Sequence, residues 1–332
     1  MKISVAMATY NGEKYIERQL DSIRMQTREV DEVIICDDQS KDRTVEVIEK
    51  YIEQHQLHGW SISVNEENKG FIGNFFGVLK RTTGDYIFLC DQDDEWALDK
   101  IEKMVAIMEQ DKNIQALNAA VQLIDGEGKK IPIKKRRGYC NANILHMQVK
   151  EGALIPISVP FLVNSNVSPG CTMCITRKLK DVCVTYANMC VETKFPHDWF
   201  LNIMAAKENW TYFYNEASVY YRIHEENTIG VTTEQEESGK VNSTKKLKQD
   251  IGKFHLERAV LLDEKLDFQE NDKTFIKKYR AFAEKRNEFL QDFSLRRLLA
   301  IYRYPKIYLN SVEWKGMVSD VLYALHLADK LR

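Results

Sequence analysis

The chain has 332 residues, 44% hydrophobic and 29% charged, with a formal net charge of −2. That is enough apolar material for a real core in one large or two modest domains, and the near-neutral balance excludes nucleic acid as a general partner.

Residues 3–8 form a predicted strand stopped by Thr9-Tyr10-Asn11-Gly12, and the helix that follows turns Tyr15, Ile16, Gln19, Leu20 and Ile23 inward. A second strand, Val33-Ile34-Ile35-Cys36, ends in Asp37-Asp38; Ser40 or Asp42 can cap a second helix carrying Val45, Val47, Ile48 and Ile52. A third strand over 60–64 leads through Asn68-Lys69-Gly70 into a third helix over 71–79. Thr83-Gly84-Asp85 then turns the chain into Tyr86-Ile87-Phe88-Leu89-Cys90, a strand apolar on both faces as parallel strands are. It runs straight into Asp91-Gln92-Asp93-Asp94-Glu95. Four repeats of strand, polar loop and helix call for an α/β fold with a mostly parallel sheet and right-handed crossovers.

Ligands of such sheets bind at the C-terminal strand ends. Polar residues recur there: Thr9 and Asn11, Asp37 and Asp38, Asn68, Asp91 and Asp93. A carboxylate can accept from a pyrimidine N3–H or from ribose hydroxyls, and an Asn amide can bridge donor and acceptor positions. Crowded ionised carboxylates favour a cation between them, and hard oxygen ligands suit Mg²⁺ or Mn²⁺, which in turn can hold a diphosphate. The other reading of the same stretch is a solvated acidic turn in which Asp94 or Glu95 caps the next helix. Neither G-x-G-x-x-G nor a Walker loop is present, which argues against a dinucleotide or a P-loop ATP site.

A fourth helix is predicted over 99–109 and a strand over 116–124, turning at Asp125-Gly126-Glu127-Gly128. Residues 129–165 read as irregular; their basic run Lys134-Lys135-Arg136-Arg137 faces an anionic acceptor or lipid headgroups, or is a solvated loop. Cys171-Thr172-Met173-Cys174 lacks the second pair that a zinc site needs. The seven cysteines are odd in number and scattered, which points to reduced thiols in a cytoplasmic protein. A helix over 178–189 precedes one opened by Pro196-His197-Asp198-Trp199-Phe200, where Asp198 is either a helix-start acid or a functional carboxylate. A strand over 218–223 ends in Tyr221-Arg222-Ile223-His224.

Residues 234–244 read as a polar linker, and everything beyond as helix. One stripe is Leu247, Ile251, Phe254, Leu261 and Leu262; another is Phe275, Ile276, Tyr279, Phe282, Phe289 and Leu290. A short basic helix over 294–304 sets Leu295, Leu298, Leu299 and Tyr302 against Arg296, Arg297 and Arg303, and a last helix carries Met317, Val321, Ala324, Leu325 and Ala328. Residues 240–332 hold 20 Lys/Arg against 13 Asp/Glu, a balance of +7, so with a net charge of −2 residues 1–239 carry −9. A basic tail on an acidic body suits peripheral contact with an anionic membrane face, or a packed, self-associating helical subdomain. The start lacks a secretory apolar region, and no stretch reaches the roughly 18 uncharged residues of a membrane span.

Four stretches in order resemble the GT-A-fold glycosyltransferases of family 2, in particular the rhamnosyltransferase-like bacterial branch that builds surface polysaccharide. Val5-Ala6-Met7-Ala8-Thr9-Tyr10-Asn11-Gly12 resembles the family's first strand and loop. Ile35-Cys36-Asp37-Asp38-Gln39-Ser40-Lys41-Asp42-Arg43-Thr44 resembles its second, and Asp91-Gln92-Asp93-Asp94 its acidic metal motif. His197-Asp198-Trp199 and Tyr221-Arg222-Ile223-His224 resemble its catalytic and closing motifs. The resemblance spans residues 1–230 and implies a catalytic domain over 1–235; the helical region over 240–332, read from its apolar stripes, is not covered by the shared motifs. It implies that Tyr10 and Asp37 or Asp38 hold the base, with Thr9, Asn11, Asn68 and Gln92 completing the nucleotide-sugar set. Asp91 would contact ribose or metal, Asp93 the divalent cation, and His224 the metal or diphosphate, with Asp198 the catalytic base. Many members carry Glu where His197 stands, which fits the rhamnosyltransferase-like branch and leaves His197 without a role.

The reaction so implied is metal-dependent and inverting. A cation neutralises the leaving diphosphate, and one carboxylate deprotonates the acceptor hydroxyl. Retention through a covalent sugar would need a second carboxylate nucleophile, and the sequence offers no candidate. The donor implied is dTDP-rhamnose or a UDP-hexose; the acceptor is a glycan or a lipid-linked sugar. Two other functions share parts of the pattern: a sugar-phosphate nucleotidyltransferase, which wants a glycine-rich start with a Lys, and a non-catalytic protein that binds only a divalent cation or a nucleotide.

Overall fold

A computed structural model describes residues 1–132, 149–224 and 245–327; the basic run at 134–137, the linker at 234–244 and Ala328 lie outside the described residues. The chain divides into two compact units, residues 1–158 with 165–232, and residues 159–164 with 233–332.

The first unit is built on a nine-stranded sheet. Strands β1 (Ile3–Thr9), β2 (Glu32–Asp37), β3 (Trp60–Val64) and β4 (Tyr86–Cys90) are parallel in the order β3-β2-β1-β4. Helices α1 (Ile16–Arg24), α2 (Thr44–Gln54) and α3 (Gly70–Arg81) make the crossovers, and α4 (Lys100–Gln110) follows β4. All five β4 residues are buried, as a central parallel strand covered on both faces must be. On α1 the buried face is Ile16, Gln19, Leu20, Ser22 and Ile23, the 3.6-residue spacing read from sequence. Each buried Leu or Ile of this kind contributes roughly 1.5–3 kcal/mol against exposure.

The second half of the sheet is mixed. It comprises β5 (Glu95–Trp96), β6 (Ala116–Ile124), β7 (Leu154–Pro156), β8 (Cys174–Thr176) and β9 (Thr211–Arg222). Short β8 lies antiparallel between β4 and β6, β6 runs parallel to β9, and β5 and β7 pair antiparallel with β9.

Here the structure departs from the sequence reading. Glu95 enters strand β5 instead of capping a helix. The stretch read as irregular contains β7 and the turn of helix α5 (Val159–Leu162). The helix expected over 178–189 is broken into α6 (Arg177–Cys183), a 3₁₀ turn at Val184–Tyr186 and α7 (Ala187–Glu192); Val182, Val184 and Thr185 are β-branched and resist a continuous helix there. Strand β9 starts seven residues before its expected start at 218. Its register against β6 shifts where Ala119 faces Tyr214 but Ala120 faces Ala217, so a bulge at polar Asn215-Glu216 hides the strand from an alternation test. Helix α8 (His197–Ala206) is buried along its whole length.

The second unit packs α9 (Lys245–Lys265), α10 (Glu270–Asp292), α11 (Leu295–Ile301) and α12 (Pro305–Ala324). The α10 stripe is inside as expected, with Ile276, Tyr279, Phe282, Phe289 and Leu290 buried. The α9 stripe is corrected: Leu247, Ile251 and Phe254 are exposed, and Lys248, Gly252, Arg258, Ala259 and Leu262 are buried. The helix is turned so that Lys248 reaches the buried carboxylate of Asp320 (2.8 Å). Ser294 Oγ caps α11 by accepting from Arg297 N (3.3 Å), and Pro305 opens α12. Among the described residues, no helix is long and apolar enough to cross a membrane.

Candidate active site

Strand register decides which residues meet at the sheet edge. Thr9 pairs with Asp37 and Met7 with Cys90, so the tips of β1, β2 and β4 emerge side by side. Several polar residues there bond to the protein itself. Asp37 is fully buried; its Oδ2 accepts from Thr9 Oγ1 (2.9 Å) and Ser40 Oγ (2.5 Å), and its Oδ1 from Ser40 N (2.8 Å). Asn11, at φ +52°, accepts from Lys41 N through Oδ1 (2.7 Å). Asn68 Nδ2 donates to Asp38 O (2.8 Å), and its Oδ1 accepts from Gly70 N (3.1 Å).

Gln92 clamps the backbone of Tyr10 in both directions, accepting from N (2.7 Å) and donating to O (2.8 Å). Gly12 makes room for that clamp, since a Cβ there would lie 2.5 Å from the Gln92 side chain. Thr9, Asn11, Asp37, Asn68 and Gln92 thus each help to hold the strand-tip loops together. Of the residues in these loops Tyr10, 46% exposed, Asn11 and Asn68 lie at the surface, while Asp38 is buried at 3%. Asp38 Oδ1 accepts from Asn65 Nδ2 and Lys69 N (both 2.8 Å), while its Oδ2 has no donor among the described residues.

At the tip of β4, Asp91, Asp94 and Cys171 each bring a ligand atom within 4.8 Å of the others. Asp93 and His224, both expected at the metal, are bonded to each other beside this cluster, Nε2 to Oδ2 at 2.8 Å. Arg222 ties the acidic loop together. Wholly buried at the end of β9, it donates its backbone N–H to Asp94 Oδ1 (2.9 Å), Nε to Asp93 O (2.8 Å) and an Nη to Asp125 O (3.0 Å), and it pairs with Glu95.

The acidic cluster is electrostatically incomplete. Burial, then the charges of Asp94, Asp93 and Asp198, push the Asp91 carboxyl well above the usual range. Burial and Asp93 push Asp94 up to about 7. Asp94 Oδ2 is also buried with no hydrogen-bond partner among the described residues. Two carboxylates with an orphaned oxygen between like charges fit a hard divalent cation such as Mg²⁺ or Mn²⁺. The Cys171 thiol is a softer neighbour, pushed up by burial and then by Asp94 and Asp91. Beneath it lies buried Lys100, whose Nζ donates to Cys171 O (2.6 Å) 3.6 Å above the Trp96 ring; burial lowers its ammonium to about 8.

Asp198 stands in the first turn of α8 with 7% exposure. Its Oδ2 accepts from Asn166 Nδ2 (2.8 Å) and its Oδ1 from Trp199 N (2.7 Å). Asn166 is held in turn by Asn202 (3.0 Å), and Asn202 exchanges amide bonds with Asn118 (2.7 and 3.1 Å). All three amides are fully buried, so the network has one geometry. Gly170 lies against Asp198, and a Cβ on it would stand 3.2 Å from Asp198 Cβ and 3.1 Å from His197 Nε2. Asp91, Asp93, Asp94 and Asp198 thus share one neighbourhood. Sequence reading missed Lys100, Asn118, Asn166, Cys171 and Asn202. Only Asn118 left a signal, a polar residue inside the apolar run of β6, where a buried amide demands a partner.

Residues 4–166 match the family model described as Glycosyl transferase family 2. The chain is similar to the dTDP-rhamnosyl transferase RfbG of Shigella flexneri, 30% identical over 240 residues, covering 68% of this chain and 73% of that protein. It is also similar to the UDP-Glc:alpha-D-GlcNAc-diphosphoundecaprenol beta-1,3-glucosyltransferase WfgD of Escherichia coli, 27% identical over 168 residues, 48% of this chain and 64% of that protein. Among solved structures, S. aureus TarS 1-349 in complex with UDP-GlcNAc matches with a TM-score of 0.60 at 19% identity, over 100% of this chain and 92% of that one. At that identity the likeness is one of fold, the GT-A fold.

Proposed function

The chain belongs to glycosyl transferase family 2, and on that premise we propose that it is an inverting, metal-dependent enzyme of bacterial surface-polysaccharide synthesis. It moves a sugar from a nucleotide diphosphate to a hydroxyl of a glycan or lipid-linked acceptor. The observation that carries this reading is that the Gly170-Cys171 turn touches both the acidic cluster and Asp198: Cys171 brings a ligand atom within 4.8 Å of those of Asp91 and Asp94, and a Cβ on Gly170 would stand 3.2 Å from Asp198 Cβ.

Asp38 Oδ2 accepts from the N3–H that uracil and thymine share, and the Tyr10 ring covers the base. Both dTDP-rhamnose and UDP-hexoses satisfy that recognition, and the names of the two sequence relatives support each. Asp91 and Asp94, with Asp93 beside them, would hold the divalent cation, which would supply Lewis-acid stabilisation of the departing diphosphate. Asp198 takes the acceptor proton. Its two oxygens are fixed by Asn166 and Trp199 N, so its remaining lone pairs have a set direction. Among the described residues no second carboxylate is held like Asp198 for nucleophilic attack, which favours direct displacement with inversion. A lipid-linked acceptor would bring the enzyme to the inner face of the cell membrane, with the basic helical unit as its contact.

The test is a panel of nucleotide sugars, assayed for nucleotide diphosphate release in Mg²⁺ or Mn²⁺ and in EDTA. We expect turnover of dTDP-rhamnose or a UDP-hexose that disappears in chelator. Full activity in EDTA removes the metal from the mechanism, and turnover of no nucleotide sugar removes the transfer reading.

A further inference from the structure

A cavity of about 440 Å³ is framed by α9, α10 and α12 of the second unit. That is within the range of roughly 300–1,000 Å³ in which proteins hold small molecules. Its wall has two characters. Ile251, Phe282 and Val312 are apolar, whereas Lys248, His255 and Arg286 are basic side chains.

The charges on that wall do not balance. Lys248 Nζ donates to Asp320 Oδ1 (2.8 Å), Arg286 pairs with Asp320 Oδ2, and Tyr308 Oη donates to that same oxygen (2.7 Å). Lys248 and Arg286 are buried and Asp320 is fully so. Burial alone would raise the Asp320 carboxyl, but Arg286 and Lys248 hold it below the usual range, so it is ionised. Among the described residues neither cation has another carboxylate partner, so two buried cations share one anion. His255 does not restore the balance: burial, then Arg258 and Arg286, lower it to about 4, and its Nδ1 is engaged with Tyr279 Oη (3.0 Å). A buried excess positive charge is unfavourable unless an anion meets it. The same cavity is lined by the hydrocarbon of Ile251, Phe282 and Val312.

We propose that this cavity binds an anionic amphiphile, its phosphate or carboxylate head against Lys248 and Arg286 and its hydrocarbon against Ile251, Phe282 and Val312. Every residue of this site belongs to the helical unit, so it stands independently of the sugar-transfer reading.

Isothermal titration of the full chain with octyl phosphate, octanoate, octanol and inorganic phosphate, each below its micellar concentration, tests it. We expect saturable binding of octyl phosphate or octanoate, at least about tenfold tighter than octanol or inorganic phosphate. Tighter binding of the phosphate ester points to a phospholipid-like or prenyl-phosphate-like source; tighter binding of octanoate points to a fatty acid. Lys248→Met leaves Arg286 and Asp320 as a neutral pair, so the fold is kept while the anionic probes lose about tenfold. Val312→Phe fills the cavity and abolishes binding of every probe. Octanol binding as tightly as the anionic probes, native binding by Val312→Phe, or no binding of either anion to the native chain overturns the proposal.

Discussion

A histidine with both ring nitrogens unpartnered stands next to the proposed base. His197 is 5% exposed, stacked on Phe75 at 3.9 Å and 17°, and edge-on to Phe71. Burial lowers it to about 3, so it is neutral at physiological pH. A carboxylate in its place would repel the charge of Asp198; the neutral ring does not. The ordinary histidine pKa is near 6.5, well above the folded value. Its contribution is therefore intact above pH 6.5 and is lost as pH falls towards 3, by up to about 1.4 kcal/mol per pH unit. We expect His197→Leu to be neutral or stabilising at pH 7, since two orphaned nitrogens are removed, and to gain on the native protein steadily down to pH 4. Urea unfolding across that range checks it; parallel pH slopes for the two proteins would sink the idea. His255 contributes the same slope to both. For Asp198→Asn, we expect kcat to fall by roughly 10²–10⁴ while donor affinity stays within about threefold, because only proton transfer is lost. Native turnover by that variant would show that another group takes the proton.

Elements formed by local pattern were legible in the sequence, and elements formed by distant pairing were not. β1 to β4 announce themselves through apolar runs ending in polar loops, and α10 through its stripe. β8 is three residues long, too short to show alternation, and it exists because β4 and β6 receive it on both sides. The α9 face was misread because an ion pair with Asp320, 72 residues away, outweighs the exposure of Leu247 and Ile251. The same distinction runs through the site. Motif residues could be named one by one, but which of them face a ligand depends on partners from other loops. Asp37 and Asp38 are adjacent and chemically alike. Thr9 and Ser40 consume both oxygens of Asp37, whereas Asp38 keeps one. Asp93 is drawn to His224, and Asp94 to the backbone of Arg222, by a strand that begins more than a hundred residues later.

Across the whole molecule, charge is segregated. Residues 240–332 carry 20 Lys/Arg against 13 Asp/Glu, while the remainder is acidic. On α11 and the start of α12, Leu295, Leu299, Tyr302 and Leu309 are exposed beside exposed Arg296, Arg303 and Lys306. Apolar side chains flanked by cations suit the boundary between headgroups and acyl chains of an anionic bilayer, with about 1 kcal/mol gained per basic residue near the surface. We therefore expect the chain to sediment with vesicles containing phosphatidylglycerol and not with phosphatidylcholine alone. Release should follow at high salt, since the Debye length shrinks from about 10 Å at 0.1 M to about 3 Å at 1 M. Leu299 is 62% exposed, so Leu299→Glu places a charge in the contact at little risk to the fold. It should abolish sedimentation while leaving octyl phosphate binding at the cavity of the helical unit unchanged. Sedimentation that survives both Leu299→Glu and removal of residues 243–332 would place membrane contact elsewhere, and equal binding to neutral vesicles would remove charge as its cause.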